Sequence, residues 1–128
     1  MMNDHNKHKK DDLSQVEKWM EQFFLDPQTS FMDQLTFRID LYETNTHIIV
    51  EALLPDVDLK HISIMIDACV MTISVIKKNT ESCSRKVEMP FPLVDKRVHA
   101  VFANGILEVW IDKNRSGNGK KRYIIINE

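Results

Sequence analysis

The chain has 128 residues, of which 43% are hydrophobic and 28% charged, and a formal net charge of −2. That size and balance fit a single globular domain with tails, long enough to bury a core without disulfides. They exclude the basic footprint of a nucleic-acid binder, and no apolar run reaches the length of a membrane span. The N-terminus carries no apolar signal-peptide core, so a cytoplasmic location is expected. Cys69 and Cys83 stand in no Cys-x-x-Cys pair and are expected as reduced thiols.

Taken in chain order, Met1 to Asp12 is polar and charged, and disorder is its default. His5 and His8 lack a third ligand there, so no metal is expected. The spacing then predicts a helix over Leu13–Leu25, because Leu13, Val16, Met20, Phe23 and Phe24 recur at three- and four-residue steps. Ser14 and Glu17 have capping-box spacing, with Leu13 at the staple position. Asp26-Pro27 ends the helix, since the residue before proline is pushed out of the α region. Two destinations for the apolar stripe stay open: its own domain, or a partner that Leu13, Val16, Met20, Phe23 and Phe24 would contact. Gln28 to Thr36 reads as a linker.

From Phe37 the period changes to two. Phe37, Ile39 and Leu41 alternate with Arg38, Asp40 and Tyr42, and His47 to Leu53 is β-rich. Pro55 cannot donate to a ladder and ends that run. Ile62, Ile64 and Ile66 alternate with Ser63, Met65 and Asp67; Met71, Ile73 and Val75 obey the same rule. Lys77 to Ser84 is a polar loop, and Arg85 to Met89 is a strand stopped by Pro90-Phe91-Pro92. Val98 to Phe102 and Ile106 to Ile111 flank Asn104-Gly105, a pair that tolerates the positive φ of a type I′ turn. Leu107, Val109 and Ile111 share one face of the last strand. About seven short strands at this spacing predict an all-β, immunoglobulin-like antiparallel sandwich preceded by a short amphipathic helix.

Six segments, in this order, resemble the small heat-shock proteins, the α-crystallin family. They are Asp40-Leu41-Tyr42-Glu43-Thr44; Val50 to Val57 around Leu54-Pro55; Ile62-Ser63-Ile64; Met71-Thr72-Ile73-Ser74; Arg85 to Pro90; and Ala100-x-x-x-Asn104-Gly105-x-Leu107. The same sandwich occurs in CS-domain co-chaperones, and the Ala100–Leu107 motif favours the α-crystallin branch. Asp56 stands where the family carries Gly, a mild departure if φ is positive there. The resemblance implies residues 1–35 as N-terminal tail and helix, 36–113 as the α-crystallin-like domain and 114–128 as a C-terminal extension. Many bacterial members carry a long strand-swapping loop where Lys77–Ser84 lies; eight residues are too few for it, leaving pairing through the Arg85–Met89 edge as the family option.

Asn114 to Gly119 has the composition of a flexible linker. By residues alone, Lys120 to Glu128 is a final strand or a frayed tail. The resemblance implies instead that Ile124-x-Ile126 is an oligomer anchor. It would dock on a neighbouring subunit, in a groove between the strand of Ile62, Ile64 and Ile66 and the strand of Val98, Ala100 and Phe102.

No Gly-rich phosphate loop or catalytic constellation is present, so no enzyme, cofactor or metal is expected. Two functions remain. The family implies an ATP-independent holdase that takes partly unfolded clients and assembles as a homo-oligomer. Some bacterial relatives are spore-coat constituents, which makes a structural or assembly role in a bacterial spore coat or germination apparatus the alternative.

Overall fold

The computed structural model describes residues 14–128. Leu13, His5 and His8 therefore lie outside the described residues.

Helix α1 spans Val16–Leu25, starting after Gln15, whose side chain makes no capping bond. The chain does not then run as a linker. A second helix, α2, spans Pro27–Leu35. Asp26 both closes α1 and opens α2: its carboxylate accepts from the Gln28 N–H, and Pro27 takes the first helical position. Proline loses nothing there, because that N–H would have no helical partner. The proline that ends one helix starts the next.

Nine strands come after the helices: β1 Ile39–Glu43, β2 His47–Leu53, β3 Ile62–Asp67, β4 Val70–Ile76, β5 Ser82–Glu88, β6 Lys96–Ala103, β7 Ile106–Ser116, β8 Arg122–Tyr123 and β9 Ile126–Asn127. They form two sheets in the orders β1-β2-β7-β6-β9 and β5-β4-β3-β8. The pairings are antiparallel except β6–β9. The chain folds as the antiparallel sandwich its period-two pattern predicts. Ile48, Val50, Ile64, Ile66, Met71, Ile73, Leu107, Val109 and Ile111 are all buried between the sheets. Each such aliphatic side chain contributes roughly 1.5–3 kcal/mol by leaving water.

Asn104 and Gly105 join β6 to β7 with φ of 54° and 76°, as a type I′ turn requires. Gly105 is held close: a Cβ there would lie 3.0 Å from the Pro55 Cα, and its carbonyl accepts from the Leu54 N–H. Asp56, by contrast, is not among the positive-φ residues, which outside glycine are, among the described residues, Ala68, Thr80 and Asn104. No left-handed conformation therefore has to be excused at the position where the family has Gly. The Lys77 turn is tighter than the expected loop. The Lys77 N–H donates to the Glu81 carbonyl, and β5 begins at Ser82.

Candidate functional site

The C-terminal arm shapes the first candidate surface. The composition of Asn114 to Gly119 predicts flexibility, but β7 continues to Ser116, which pairs with Lys96. The Asp112 carboxylate accepts from the N–H groups of Asn114 and Arg115. The bond from Asn114 foremost, with His47 and Arg115 nearby, holds its carboxyl below the usual aspartate range. Gly117 and Gly119 then donate to the carbonyls of Asp95 and Val94. A Cβ at Gly117 would come within 2.3 Å of the Lys96 carbonyl oxygen, so the turn needs glycine for close approach. Arg122 clamps the turn: its guanidinium donates to the carbonyls of Val94 at 3.1 Å, Lys120 at 3.2 Å and Lys96 at 2.8 Å, and to the Asn118 side chain.

The arm therefore turns back on its own chain. Arg122 and Tyr123 pair with Ile66 and Met65, the Ile124 N–H donates to the Ile64 carbonyl, and Ile126 pairs with Ala100. Ile124 and Ile126 are half-buried against the core that contains Ile62, Ile64, Ile66 and Ala100, alongside the half-buried Val98 and Phe102. The groove strands and the two isoleucines are thus brought together within one chain. The physical reason is the ordered turn at residues 117–120, which directs the arm across the open side of its own sandwich.

The helices shape the second surface. The stripe read as a possible partner face points inward. Val16 is fully buried, and Met20 and Phe23 pack on the core, while Phe24 is 47% exposed. Trp19, which the stripe did not include, packs there too, and its indole N–H donates to the Glu88 carbonyl at 2.7 Å. That carbonyl lies on β5, an edge strand of its sheet. Asp33 on α2 accepts from the Arg85 guanidinium at 2.7 Å and from the Ile39 N–H at 3.2 Å; Arg85 also donates to the Phe37 carbonyl. Between helices and edge runs a groove of about 720 Å³, lined by Trp19, Phe23 and Met32 on one wall and Ser84 to Pro90 on the other. Phe24 and Leu25 on α1 and Phe31 and Leu35 on α2 are exposed.

The third surface is the solvent side of the five-stranded sheet. His99 stacks on Trp110 at 5.9 Å between ring centroids, and His47 meets both rings edge-on. His47 is held by Thr46 through Nδ1 and lies 3.7 Å from Asp112. Beside them sit Asp40, Glu51 and Glu108. Partial burial, then the charges of Asp40 and Glu108, push the Glu51 carboxyl above its ordinary range; the Glu51 charge in turn raises Tyr42.

Among the described residues, no three or more His, Cys, Asp or Glu side chains are grouped to hold a metal ion. Cys69 and Cys83 are free and half-buried. No helix among the described residues is long and apolar enough to cross a membrane.

No family model matches the chain. It is 30% identical over 112 residues to spore coat protein M of Bacillus subtilis, spanning 88% of this chain and 84% of that one. It is 28% identical over 119 residues to small heat shock protein C2 of Rickettsia felis, spanning 80% and 77%. Among solved structures, heat shock protein 16.0 of Schizosaccharomyces pombe superposes with a TM-score of 0.54 at 26% identity, over 69% of this chain and 96% of that one.

Proposed function

The chain belongs to the small heat-shock protein (α-crystallin) family, and on that premise we propose that it is an ATP-independent holdase. It would bind partly unfolded proteins and suppress their aggregation without driving refolding. The observation that carries this reading is the apolar ridge on the helix pair. Leu25 is 73% exposed, Phe31 and Leu35 58% each, and Phe24 47%. Phe31 and Leu35 are one helical turn apart and share a face. Large apolar side chains left exposed on both helices suit the exposed hydrophobic segments of an unfolding client. The client face proposed from the sequence thus moves: Val16, Met20 and Phe23 hold the helix down, and Phe24 joins Leu25, Phe31 and Leu35 outside.

The test is light scattering from a heat-labile protein with and without the chain. The pure protein should suppress the scattering, and Phe31→Ser with Leu35→Ser should weaken suppression several-fold while leaving the melting temperature nearly unchanged. Full activity in that variant would remove the ridge from the reading.

A homo-oligomer belongs to the same proposal. The arm that fills its own groove can, in a neighbour, fill the identical groove with Ile124 and Ile126. Exchange costs little in contacts because the same bonds re-form, and proximity of many subunits favours it.

A second reading is favoured by the similarity to spore coat protein M. Here the same domain serves as a building block of a spore coat, and cytoplasmic chaperoning is absent. Location in the insoluble spore layer, combined with no suppression of client aggregation, would select it.

A further inference from the structure

We propose that the solvent side of the five-stranded sheet binds the outer ridge of the C-terminal arm of a second copy of this chain. The face carries an aromatic row. Tyr42, Ile49, Trp110 and His99 are consecutive register partners on β1, β2, β7 and β6, Ile49 itself being buried. They lie opposite the core side, since their neighbours Leu41, Ile48, Ile111 and Ala100 are buried within it. Tyr42 remains 47% exposed.

One row along, Asp40, Glu51 and Glu108 stand directly opposite one another on three successive strands. Like charges facing across strands destabilise a sheet. The cation joined to them is Arg38, 3.1 Å from Asp40 and itself 62% exposed. Together with partial burial, the field they set up holds Glu51 in its protonated form to higher pH, and the Glu51 charge makes Tyr42 harder to ionise. A face that pairs aromatic surface with unbalanced negative charge calls for an occupant that is apolar and cationic.

The chain itself carries one. Along the extended arm, burial alternates: Arg122, Ile124 and Ile126 turn inward, while Lys121, Tyr123 and Ile125 turn out. Tyr123 is 69% exposed, Ile125 82%, and the Lys121 side chain 61%. Lys120 precedes them, also exposed. Lys121 has a partner in Asp67 at 3.9 Å, but both side chains are more than half exposed, and such a pair is weak. The ridge thus offers the Lys121 cation, with the exposed Lys120 preceding it in the turn, and then an aromatic and an aliphatic side chain, which matches the charged and aromatic rows of the sheet face. Because arm and face are different surfaces of one subunit, the contact either closes as a reciprocal two-fold pair or, head-to-tail, propagates into a ring or a filament. It uses the outward residues of a docked arm, so it does not depend on exchange of Ile124 and Ile126, nor on holdase activity.

The test is particle mass by size exclusion with light scattering. Wild type should exceed the monomer mass at low salt and lose mass several-fold as salt shortens the Debye length to a few ångströms. Glu51→Lys with Glu108→Lys, and separately Lys120→Glu with Lys121→Glu, should each lower the mass. Mixing the two variants should restore it, because each then meets the opposite charge. Glu51→Gln with Glu108→Gln, which relieves repulsion and so protects the fold, should flatten the salt dependence. A monomeric wild type, variants of unchanged mass, or a mixture that stays dissociated would overturn the proposal. So would a Glu51/Glu108 variant that keeps its mass but loses client suppression, which would give the face to clients instead.

Discussion

Arg85 holds three parts of the molecule at one point, and its removal should show in the stability of the whole. The guanidinium is 5% exposed; Asp33, its carboxylate partner on α2, is 24% exposed. Both of its bonds, to Asp33 and to the Phe37 carbonyl, are 2.7 Å long. Breaking a buried ion pair from one side costs about 3–5 kcal/mol. Here Asp33 keeps the Ile39 N–H and can recover some water, while the Phe37 carbonyl is left inside without its donor. Arg85→Met should therefore cost about 2–4 kcal/mol, toward the low end of that range. In a folded unit of this size the melting temperature should fall by roughly 10–20 °C. Asp33→Asn keeps an acceptor for Ile39 and should cost about 1–2 kcal/mol. In a double-mutant cycle by urea denaturation the two changes should couple by about 1–3 kcal/mol. Trp19, anchored to Glu88 of the same strand, reports helix undocking by fluorescence. If Arg85→Met melts within a few degrees of wild type, or the coupling is below about 0.5 kcal/mol, the pair does not fasten the helices to the sandwich.

Other expectations rest on single features. Gly105→Val sets a β-branched residue at positive φ and against the Pro55 backbone, so it should cost on the order of 1–3 kcal/mol and lower the melting temperature. Ile124→Ala with Ile126→Ala should loosen the arm and reduce particle mass while the sandwich still unfolds cooperatively, as tracked by light scattering and thermal melts. Stability should depend on pH in two opposed ways. The Glu51 carboxyl is raised above its ordinary 4.5, so its charged form strains the fold, and stability should rise as pH falls through its folded pKa. Asp112 is lowered below its ordinary 3.8; its contribution is complete above that value and lost as pH falls through the folded pKa. Thermal melts against pH should show both limbs, and Glu51→Gln should remove the first.

The sandwich was legible because its signals are local. Alternation from Phe37 onward and the Asn104-Gly105 pair specify strand faces and register without knowledge of any partner. What was missed depends on distant residues. Gln28 to Thr36 looks like a linker by composition, yet Asp26 caps it and Asp33 ties it to Arg85, 52 residues away. The sequence left the destination of the helix stripe open; with Val16 buried and Trp19 bonded to β5, deleting residues 1–31 should destabilise the fold. The Ser/Gly/Asn run at residues 114–119 reads as flexible until Arg122 finds the carbonyls of Val94 and Lys96. For the candidate surfaces, the inward isoleucines of the arm could be picked out by a two-residue step. Which chain they would land on could not, because a turn made by backbone carbonyls leaves no pattern in side-chain type.

The returning arm also sets an order of events in the making of the protein. Its residues pair with Met65, Ile66 and Ala100, which belong to opposite sheets. The complete seat exists only once both sheets have formed, and the arm follows both of them along the chain. During translation the long side of the sandwich therefore stays open, with two strand edges and the isoleucines of β3 uncovered, until the arm emerges. A newborn subunit is for that interval itself a sticky chain, and crowding of several on one message would favour arms closing on neighbours over arms closing on themselves.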